Sequence, residues 1–267
     1  MNMNQFGKIK IPQNFDFQHW CARWDKMQEK YLVKRNERFN VISQLINSTQ
    51  DKVEYILDIG CGTGSLMLNM LESFPKTKVI GIDFDPTILI LAKGRLDKYK
   101  ERSKIVFADI RDNSWVELIE NPLNAIVSAT ALHWLNPKQL KLFYKQIIGL
   151  LRSNGIFLNA DHVSSAYPLI QKTWEENRDK MRKEEYDNFA DDWNSFWKAF
   201  GKALSGNIDE INKRVIGGWE GGIEDGLPLQ WHFEKLKDCG FSYVDCFWRC
   251  DCDAIYGGIL SNKKKAV

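Results

Sequence analysis

Five short apolar runs, each followed by an amphipathic or polar segment, recur along residues 55–162. Their content of Ile, Val and Leu is typical of strands that are buried on both faces. Strands that alternate with helices need right-handed crossovers, so this pattern predicts a doubly wound, mainly parallel α/β sheet. The runs lie at residues 55–58, 78–83, 104–109, 124–128 and 155–162.

Helical spacing of apolar residues also occurs before and after this alternation. It predicts one long or two short helices over residues 17–47, and two charged, aromatic-rich helices over 168–186 and 188–204. A last helix at 229–239 precedes two strands in direct succession, which implies an antiparallel hairpin. The hairpin strands are predicted at 241–250 and 254–260.

Composition narrows the classes of protein. The chain has 267 residues, a formal charge of +2 and 44% hydrophobic residues, which gives no sign of affinity for nucleic acids or membranes. The start of the sequence lacks the features of a signal peptide and no apolar run is long enough to span a bilayer, so we expect a cytoplasmic protein. The six cysteines lack the paired C-x-x-C spacing of zinc sites, and we expect neither disulfides nor a bound metal.

A glycine-rich turn follows the first predicted strand. Glycines let the backbone adopt positive φ and approach a ligand closely, and the next helix begins with unpaired N–H groups. The turn therefore predicts a nucleotide-like ligand. It departs from the dinucleotide pattern G-x-G-x-x-G because Ser65 stands where the third glycine or alanine would be. The stretch reads Asp58-Ile-Gly60-Cys61-Gly62-Thr-Gly64-Ser65.

Two further acidic residues end the second and third predicted strands. In open α/β sheets ligands bind beyond the carboxyl ends of the strands, so Asp58, Asp83 and Asp109 are expected at one rim. Asp85 precedes Pro86 and fits the cap of the next helix, which leaves Asp83 free to accept both ribose hydroxyl protons. A helix cap is the competing interpretation for Asp109.

The stretch Asp58-x-Gly60-x-Gly62-x-Gly64 resembles the nucleotide-binding signature of class I S-adenosylmethionine (SAM)-dependent methyltransferases. That resemblance implies a Rossmann-like seven-stranded sheet with an antiparallel last strand, SAM as cofactor and S-adenosylhomocysteine (SAH) as product. It also implies that the acid and the open backbone of the turn contact the methionine part of SAM. The residues concerned are Asp58, Gly60, Cys61, Gly62 and Gly64.

The resemblance assigns the adenine end of the cofactor as well. Asp109 is expected to accept a hydrogen bond from the exocyclic amine, with the ring held between Phe84 and Ile110. Ser128, which ends the fourth strand, is expected on the cofactor side. Arg35 and Arg38 lie on a predicted helix and are interpreted as a solvated face rather than as partners of the cofactor carboxylate.

The loop after the fourth strand is where acceptor chemistry is expected. His133 is the candidate general base and Trp134 a candidate wall of the acceptor pocket, although a structural histidine is the common alternative. Tyr31 and Trp219 are the other candidate acceptor contacts, with core packing as the equally weighted alternative for the aromatic residues of the first helix. His162 and His232 are further options for a base.

The stretch Leu132-His133-Trp134-Leu135 resembles small-molecule methyltransferases of the trans-aconitate and ubiquinone/menaquinone type. The Asn/Asp-Pro-Pro-aromatic motif of enzymes that methylate DNA bases or glutamine is missing there. We therefore expect methyl transfer to a small-molecule acceptor by in-line displacement, in a monomer or homodimer. A non-catalytic SAM-binding regulator is the alternative. An NAD-linked oxidoreductase fits less well, because Asp58, Ser65 and Asp109 count against it.

These inferences divide the chain into four expected parts. Residues 1–50 form a helical segment over the pocket, and 51–163 form the SAM-binding core. Residues 164–228 form a helical cap insertion with a glycine-rich loop, for which the alternative is a cover on the sheet or a dimer surface. Residues 229–267 supply the final helix and the hairpin that completes the core.

Overall fold

A seven-stranded sheet is the centre of the molecule. The computed structural model describes residues 9, 11–184, 190–204, 222–223 and 225–261. The strands are β1 (Tyr55–Ile59), β2 (Lys78–Asp83), β3 (Ser103–Phe107), β4 (Leu123–Ala129), β5 (Leu151–His162), β6 (Tyr243–Cys250) and β7 (Asp253–Ile259).

The strand order is β3-β2-β1-β4-β5-β7-β6. Strands β1 to β5 are parallel, whereas β7 is antiparallel to both of its neighbours, β5 and β6. The predicted doubly wound, Rossmann-like sheet with an antiparallel last strand is therefore confirmed. The order changes direction between β1 and β4, and this switch point is where open α/β sheets bind their ligands.

Helices cover both faces of the sheet. Those in the described residues are α1 (Phe17–Tyr31), α2 (Arg35–Thr49), α3 (Ser65–Ser73), α4 (Pro86–Arg95), α5 (Pro137–Leu150), α6 (Pro168–Glu184), α7 (Trp193–Ala203) and α8 (Leu229–Cys239). One core cluster joins α2, α3 and α4 to the sheet, and the other joins α5 and α8 to its opposite face.

Some boundaries differ from those predicted. Strand β5 begins at Leu151 rather than residue 155, because Asn154, at a φ of +62°, kinks the strand without ending it. Helix α4 ends at Arg95 and is followed by a short 3₁₀ turn at Asp97–Tyr99, so the helix predicted to residue 100 is shorter. Strand β3 ends at Phe107 rather than at residue 109, and a 3₁₀ helix, Asn113–Leu118, stands between β3 and β4.

A third, aromatic cluster joins α1, α4 and α7. Trp20 and Trp24 pack against Phe196 and Phe200, with ring centroids 5.2 to 5.9 Å apart, and all four side chains are buried. Apolar residues of α4 complete the cluster. Helix α7 is thus held by the first helix and by the helix that follows β2. We call this group the aromatic cluster.

The described helices include none that is long and apolar enough to cross a membrane. All six cysteines are free thiols.

Candidate active site

A cleft of about 1410 Å³ opens at the carboxyl ends of the parallel strands. It is bounded by the turns after β1, β2, β3 and β4 on one side and by α1, α2, α6 and α7 on the other. Most of the site residues predicted from the sequence line this cleft. They are Tyr31, Asp58, Gly60, Cys61, Gly62, Asp83, Phe84, Asp109, Ile110, His133 and Trp134.

Two predicted site residues do not line the cleft, and a third lies outside the described part of the chain. Ser128 is fully buried, and its hydroxyl donates to the carbonyl of Ile59 over 2.8 Å, so it joins β4 to β1 beneath the site. Gly64, at a φ of +76°, starts α3 and donates to the carbonyl of Cys61, so it shapes the turn. Trp219 lies outside the described residues.

The glycine turn is held against the end of β2. Gly60 has a φ of +66°, and a Cβ there would lie 2.3 Å from the Cβ of Ala131. The N–H of Gly62 donates to Oδ2 of Asp83 over 2.8 Å. The turn therefore needs glycine at position 60 both for its backbone conformation and for space.

Asp58 is a buried acid on the floor of the cleft, with 1% of its surface exposed. Burial, together with the nearby charge of Asp83, raises the pKa of Asp58 well above its ordinary value. Its Oδ2 has no hydrogen-bond partner within the described part of the chain. A buried acceptor of this kind is costly unless a ligand donates to it.

Asp83 lies at the end of β2, as predicted, but its oxygens are not free. Oδ1 accepts from the N–H of Asp85 over 2.9 Å and Oδ2 accepts from Gly62, and these bonds fix the carboxylate at the cleft wall. Burial raises the pKa of Asp83 to about 6. Asp85 caps α4 by accepting from the N–H of Thr87, so its predicted role is confirmed.

Asp109 is paired in a way that the sequence did not indicate. Arg111 donates through Nε and Nη2 to both carboxylate oxygens over 2.6 to 2.9 Å, and its own N–H also donates to Oδ1. Partial burial raises the pKa of Asp109, but the hydrogen bonds and charge of Arg111 outweigh it, so the pKa is lowered. The guanidinium carbon lies 5.7 Å from the ring centroid of Phe84.

His133 is held by Asp161, a residue that the sequence did not single out. Its Nδ1 lies 2.7 Å from Oδ1 of Asp161, and its N–H donates to Oδ2 over 3.0 Å. Burial alone would raise the pKa of Asp161, but the charge and hydrogen bond of His133 outweigh burial and lower it. The ionised acid accepts from Nδ1–H, so Nε2 is the ring nitrogen that can act as a base.

A second histidine lies beside this pair. The rings of His133 and His162 have their centroids 5.2 Å apart, and His162 also lines the cleft. Its Nδ1 lies 2.8 Å from Oδ1 of Asp253, whose Oδ2 lies 2.9 Å from Nη2 of Arg38. Asp253 belongs to β7, which reaches the site only because that strand lies next to β5.

Arg35 and Arg38 are not the solvated face that the sequence favoured. They are 8% and 2% exposed, and both line the cleft. Each guanidinium is paired with an acid from another element: Arg35 lies 3.3 Å from Asp25 of α1, and Arg38 pairs with Asp253 of β7. Helical spacing alone could not reveal these partners, because burial of the arginines depends on tertiary pairing.

A buried polar chain continues from Asp161 into the core. The side-chain amide of Asn159 donates to the hydroxyl of Tyr256 over 2.8 Å and approaches Asp161 at 3.4 Å. The hydroxyls of Tyr256 and Tyr144 lie 3.3 and 2.8 Å from the two ring nitrogens of His232. Burial lowers the pKa of His232 to about 4, so this predicted option for a base is a neutral core residue.

His133, Asp161 and His162 offer ligand atoms that lie within 4.8 Å of one another, near enough to hold a metal ion. Asp161 already accepts from the ring and backbone of His133 and from the backbone of His162. The carboxylate is therefore well satisfied by the protein itself, and we interpret the group as a hydrogen-bonded pair rather than a metal centre.

The outer wall of the cleft comes from the first helix and the cap. Trp24 and Tyr31 line it, whereas Trp20 packs in the aromatic cluster. Helices α6 and α7 add aromatic and basic side chains: Arg182, Trp193, Trp197, Lys198 and Lys202. In the described part of these two helices, no acid lines the cleft.

Residues 56–155 match the family model of a methyltransferase domain. The match, the fold and the cleft agree with the resemblance of this segment to class I SAM-dependent methyltransferases. The predicted family resemblance and SAM as the cofactor of that family are confirmed.

Two curated relatives illustrate the similarity. The chain is 29% identical over 140 residues to trans-aconitate 2-methyltransferase of Escherichia coli O1:K1. The matched region covers 51% of this chain and 52% of the relative. It is 29% identical over 117 residues to malonyl-[acyl-carrier protein] O-methyltransferase of Priestia megaterium, covering 43% and 40%. The chain thus spans about half the length of the curated relatives it matches.

Among solved structures, an O-methyltransferase family protein from Burkholderia thailandensis superposes with a TM-score of 0.53 at 14% identity. The superposition covers 93% of this chain and 71% of that one. At this identity the likeness shows the fold alone.

Proposed function

We propose that this chain is an enzyme that transfers a methyl group from SAM to a small-molecule acceptor by in-line displacement. The observation that carries the proposal is that one cleft is lined both by the glycine turn with Asp58 and Asp83 and by His133, whose ring is held by Asp161. A nucleotide site and a positioned base on the same cleft are what such a reaction needs.

The residues of the turn fit the cofactor. The buried Oδ2 of Asp58, which lacks a partner in the described chain, suits the ammonium group of a methionine moiety. The fixed carboxylate of Asp83 suits the ribose hydroxyls. Phe84 and Ile110 would hold the adenine ring, and Asp109 its amine, with Arg111 sharing the carboxylate.

The cofactor supplies a methyl group already activated on a sulfonium centre. The protein then has to align the acceptor and exclude water, and in well-oriented systems alignment alone is worth about 7 to 11 kcal/mol. Tyr31 and Trp134 form part of the cleft wall that would align the acceptor and exclude water. Where the acceptor must lose a proton, Nε2 of His133 takes it, while Asp161 holds the ring and stabilises the imidazolium.

Two observations favour an acidic acceptor. Arg182, Lys198 and Lys202 bring positive charge to the cap side of the cleft, which attracts anions. The names of both curated relatives refer to substrates derived from carboxylic acids, trans-aconitate and malonyl-[acyl-carrier protein]. An acceptor panel should therefore begin with di- and tricarboxylic acids and their thioesters, followed by phenols and amines.

The proposal is tested in two steps. Titration calorimetry should show binding of SAH and not of NAD, and the panel should then be screened with SAM for release of SAH. Binding of SAH without turnover of any acceptor would favour the second candidate, a non-catalytic SAM-binding protein. Binding of NAD without SAH would overturn the cofactor assignment. Light scattering in the same buffer distinguishes a monomer from the homodimer.

A further inference from the structure

His162 has the same kind of support as His133, although the proposed reaction does not yet use it. It ends β5, its side chain is 13% exposed, and it lines the cleft 5.2 Å from the ring of His133. The backbone N–H of His162 donates to Asp161, which also holds His133. The two imidazoles are therefore fixed relative to each other at one edge of the cleft.

The orientation of the His162 ring is set by Asp253. Nδ1 lies 2.8 Å from Oδ1 of this acid, which is 2% exposed. Burial by itself would raise the pKa of Asp253, but the hydrogen bond from His162 and the charge of Arg38 outweigh burial and lower it. An ionised carboxylate can only accept, so Nδ1 carries the hydrogen and Nε2 keeps its lone pair.

Arg38 balances the charge of Asp253. Its guanidinium lies 2.9 Å from Oδ2 of Asp253, and its Nε donates to the carbonyl of Val33 over 3.0 Å. A buried charge is strongly unfavourable unless it is paired, so the arginine and the acid depend on each other. The pair is neutral as a whole, and it therefore directs the His162 ring without requiring a positive charge on it.

We propose that Arg38 and Asp253 are positioning residues that hold His162 in its Nδ1–H tautomer, and that Nε2 of His162 accepts a hydrogen bond from the acceptor. This inference rests on the proposed function and deepens it. It implies an acceptor with an O–H or N–H group besides the atom that is methylated, so within the acidic panel it favours hydroxy acids over simple polycarboxylates. His133 takes the reacting proton, and His162 orients the molecule through the second group.

The tautomer can be measured without knowing the acceptor. The chain has four histidines, so long-range ¹H–¹⁵N spectra of ¹⁵N-histidine-labelled protein with SAH, recorded at about pH 8.5 where free imidazole is neutral, are simple. The signal that disappears in His162→Gln assigns His162. We expect hydrogen on Nδ1 in the natural protein and a mixture of tautomers in Asp253→Asn. Hydrogen on Nε2 in the natural protein, or an unchanged spectrum in Asp253→Asn, overturns the positioning role.

Contact with the acceptor is tested by steady-state kinetics on the substrate that the panel identifies. We expect His162→Gln to raise KM about tenfold, the value of one lost hydrogen bond to the acceptor, with a smaller effect on kcat. Asp253→Asn should add nothing to His162→Gln in the double variant, because Asp253 acts through that ring. Additive effects, or an unchanged KM in His162→Gln, overturn the proposal.

Two controls separate this inference from the proposed function. The exposed His19 on α1 lies outside the cleft lining, and His19→Gln should leave KM unchanged. Calorimetry with SAH shows whether each variant folds. If no compound in the panel is methylated, the proposed function is wrong, and so is the contact between His162 and an acceptor. The spectra still show in that case whether Asp253 holds the His162 ring.

Discussion

Nδ1 of His133 lies 2.7 Å from Oδ1 of Asp161, and the acid is 1% exposed. A buried, ionised carboxylate fixes the imidazole ring and stabilises it when it takes a second proton. Because the same ring lines the cleft that holds the glycine turn, its removal should affect transfer more than cofactor binding.

His133→Gln should lower kcat by about 10² to 10⁴-fold for an acceptor that must lose a proton, which is the usual contribution of general base catalysis. The affinity for SAH, measured by calorimetry, should stay within about twofold. Asp161→Asn should also lower kcat, because it removes the charge that stabilises the imidazolium. A loss below about tenfold in His133→Gln would show that the acceptor needs no base, as for a carboxylate that is already ionised.

Removal of metal ions should leave the reaction unchanged. His133, Asp161 and His162 are close enough to hold an ion, but Asp161 is already satisfied by hydrogen bonds. Dialysis against EDTA should therefore change kcat by less than about twofold. If activity is lost and Zn²⁺ or Fe²⁺ restores it, the three residues form a metal centre instead.

Gly60→Ala should weaken SAH binding by more than about tenfold. The new Cβ would lie 2.3 Å from Ala131 at a backbone φ of +66°, and strain of this kind costs about 1 to 3 kcal/mol. Gly149→Ala is the matched control, because Gly149 lies in α5 with open space around it. The free energy of unfolding of that variant, measured with urea, should rise by about 0.5 to 1 kcal/mol, and the variant should bind SAH normally. Equal affinities in the two variants would contradict a close approach of the turn to the ligand.

Binding of SAH should weaken as the pH falls through about 6, the raised pKa of Asp83. The ionised carboxylate can accept from both ribose hydroxyls, and protonation removes part of this capacity. Calorimetry between pH 5 and pH 8 tests this expectation. Asp83→Asn should bind at least about tenfold more weakly at pH 8 and show a flatter pH profile, with Asp58 and Asp85 as the remaining cleft acids of raised pKa.

Acid should destabilise the fold through His232. Its pKa is about 4 in the folded chain and about 6.5 when unfolded, so the unfolded state binds more protons between these values. The contribution of neutral His232 to the free energy of unfolding is therefore complete above pH 6.5. It falls as the pH drops, by up to about 3 kcal/mol at pH 4. His232→Gln should reduce the difference between urea unfolding curves at pH 7 and pH 5. His19→Gln should not change that difference.

The sequence predicted the parts of the site that depend on local pattern. Asp83 and Asp109 could be placed at one rim because Asp83 ends β2 and Asp109 follows the end of β3 closely, and the carboxyl ends of parallel strands share an edge. The cap at Asp85 followed from the proline after it. Such features need only a few neighbouring residues, and the structure reproduces them.

The parts that could not be predicted depend on residues far apart in the chain. Asp161 and Asp253 were not recognised as histidine partners. Asp161 meets His133 because β5 lies beside β4, and Asp253 meets His162 because β7 lies antiparallel beside β5. Arg38 looked like a surface residue for the same reason. Ser128 ends a strand in the expected place, but which way its hydroxyl points depends on the register of β4 with β1.

The aromatic cluster has a consequence for how ligands influence one another. It contains residues of α4, the helix that Asp85 caps beside Asp83, and of α7, which lines the cleft opposite the strand ends. A shift of α4 on cofactor binding would be transmitted through closely packed rings to that wall. Cofactor and acceptor affinities are therefore expected to be coupled, and a change at Phe196 or Phe200 should alter both, although neither side chain lines the cleft.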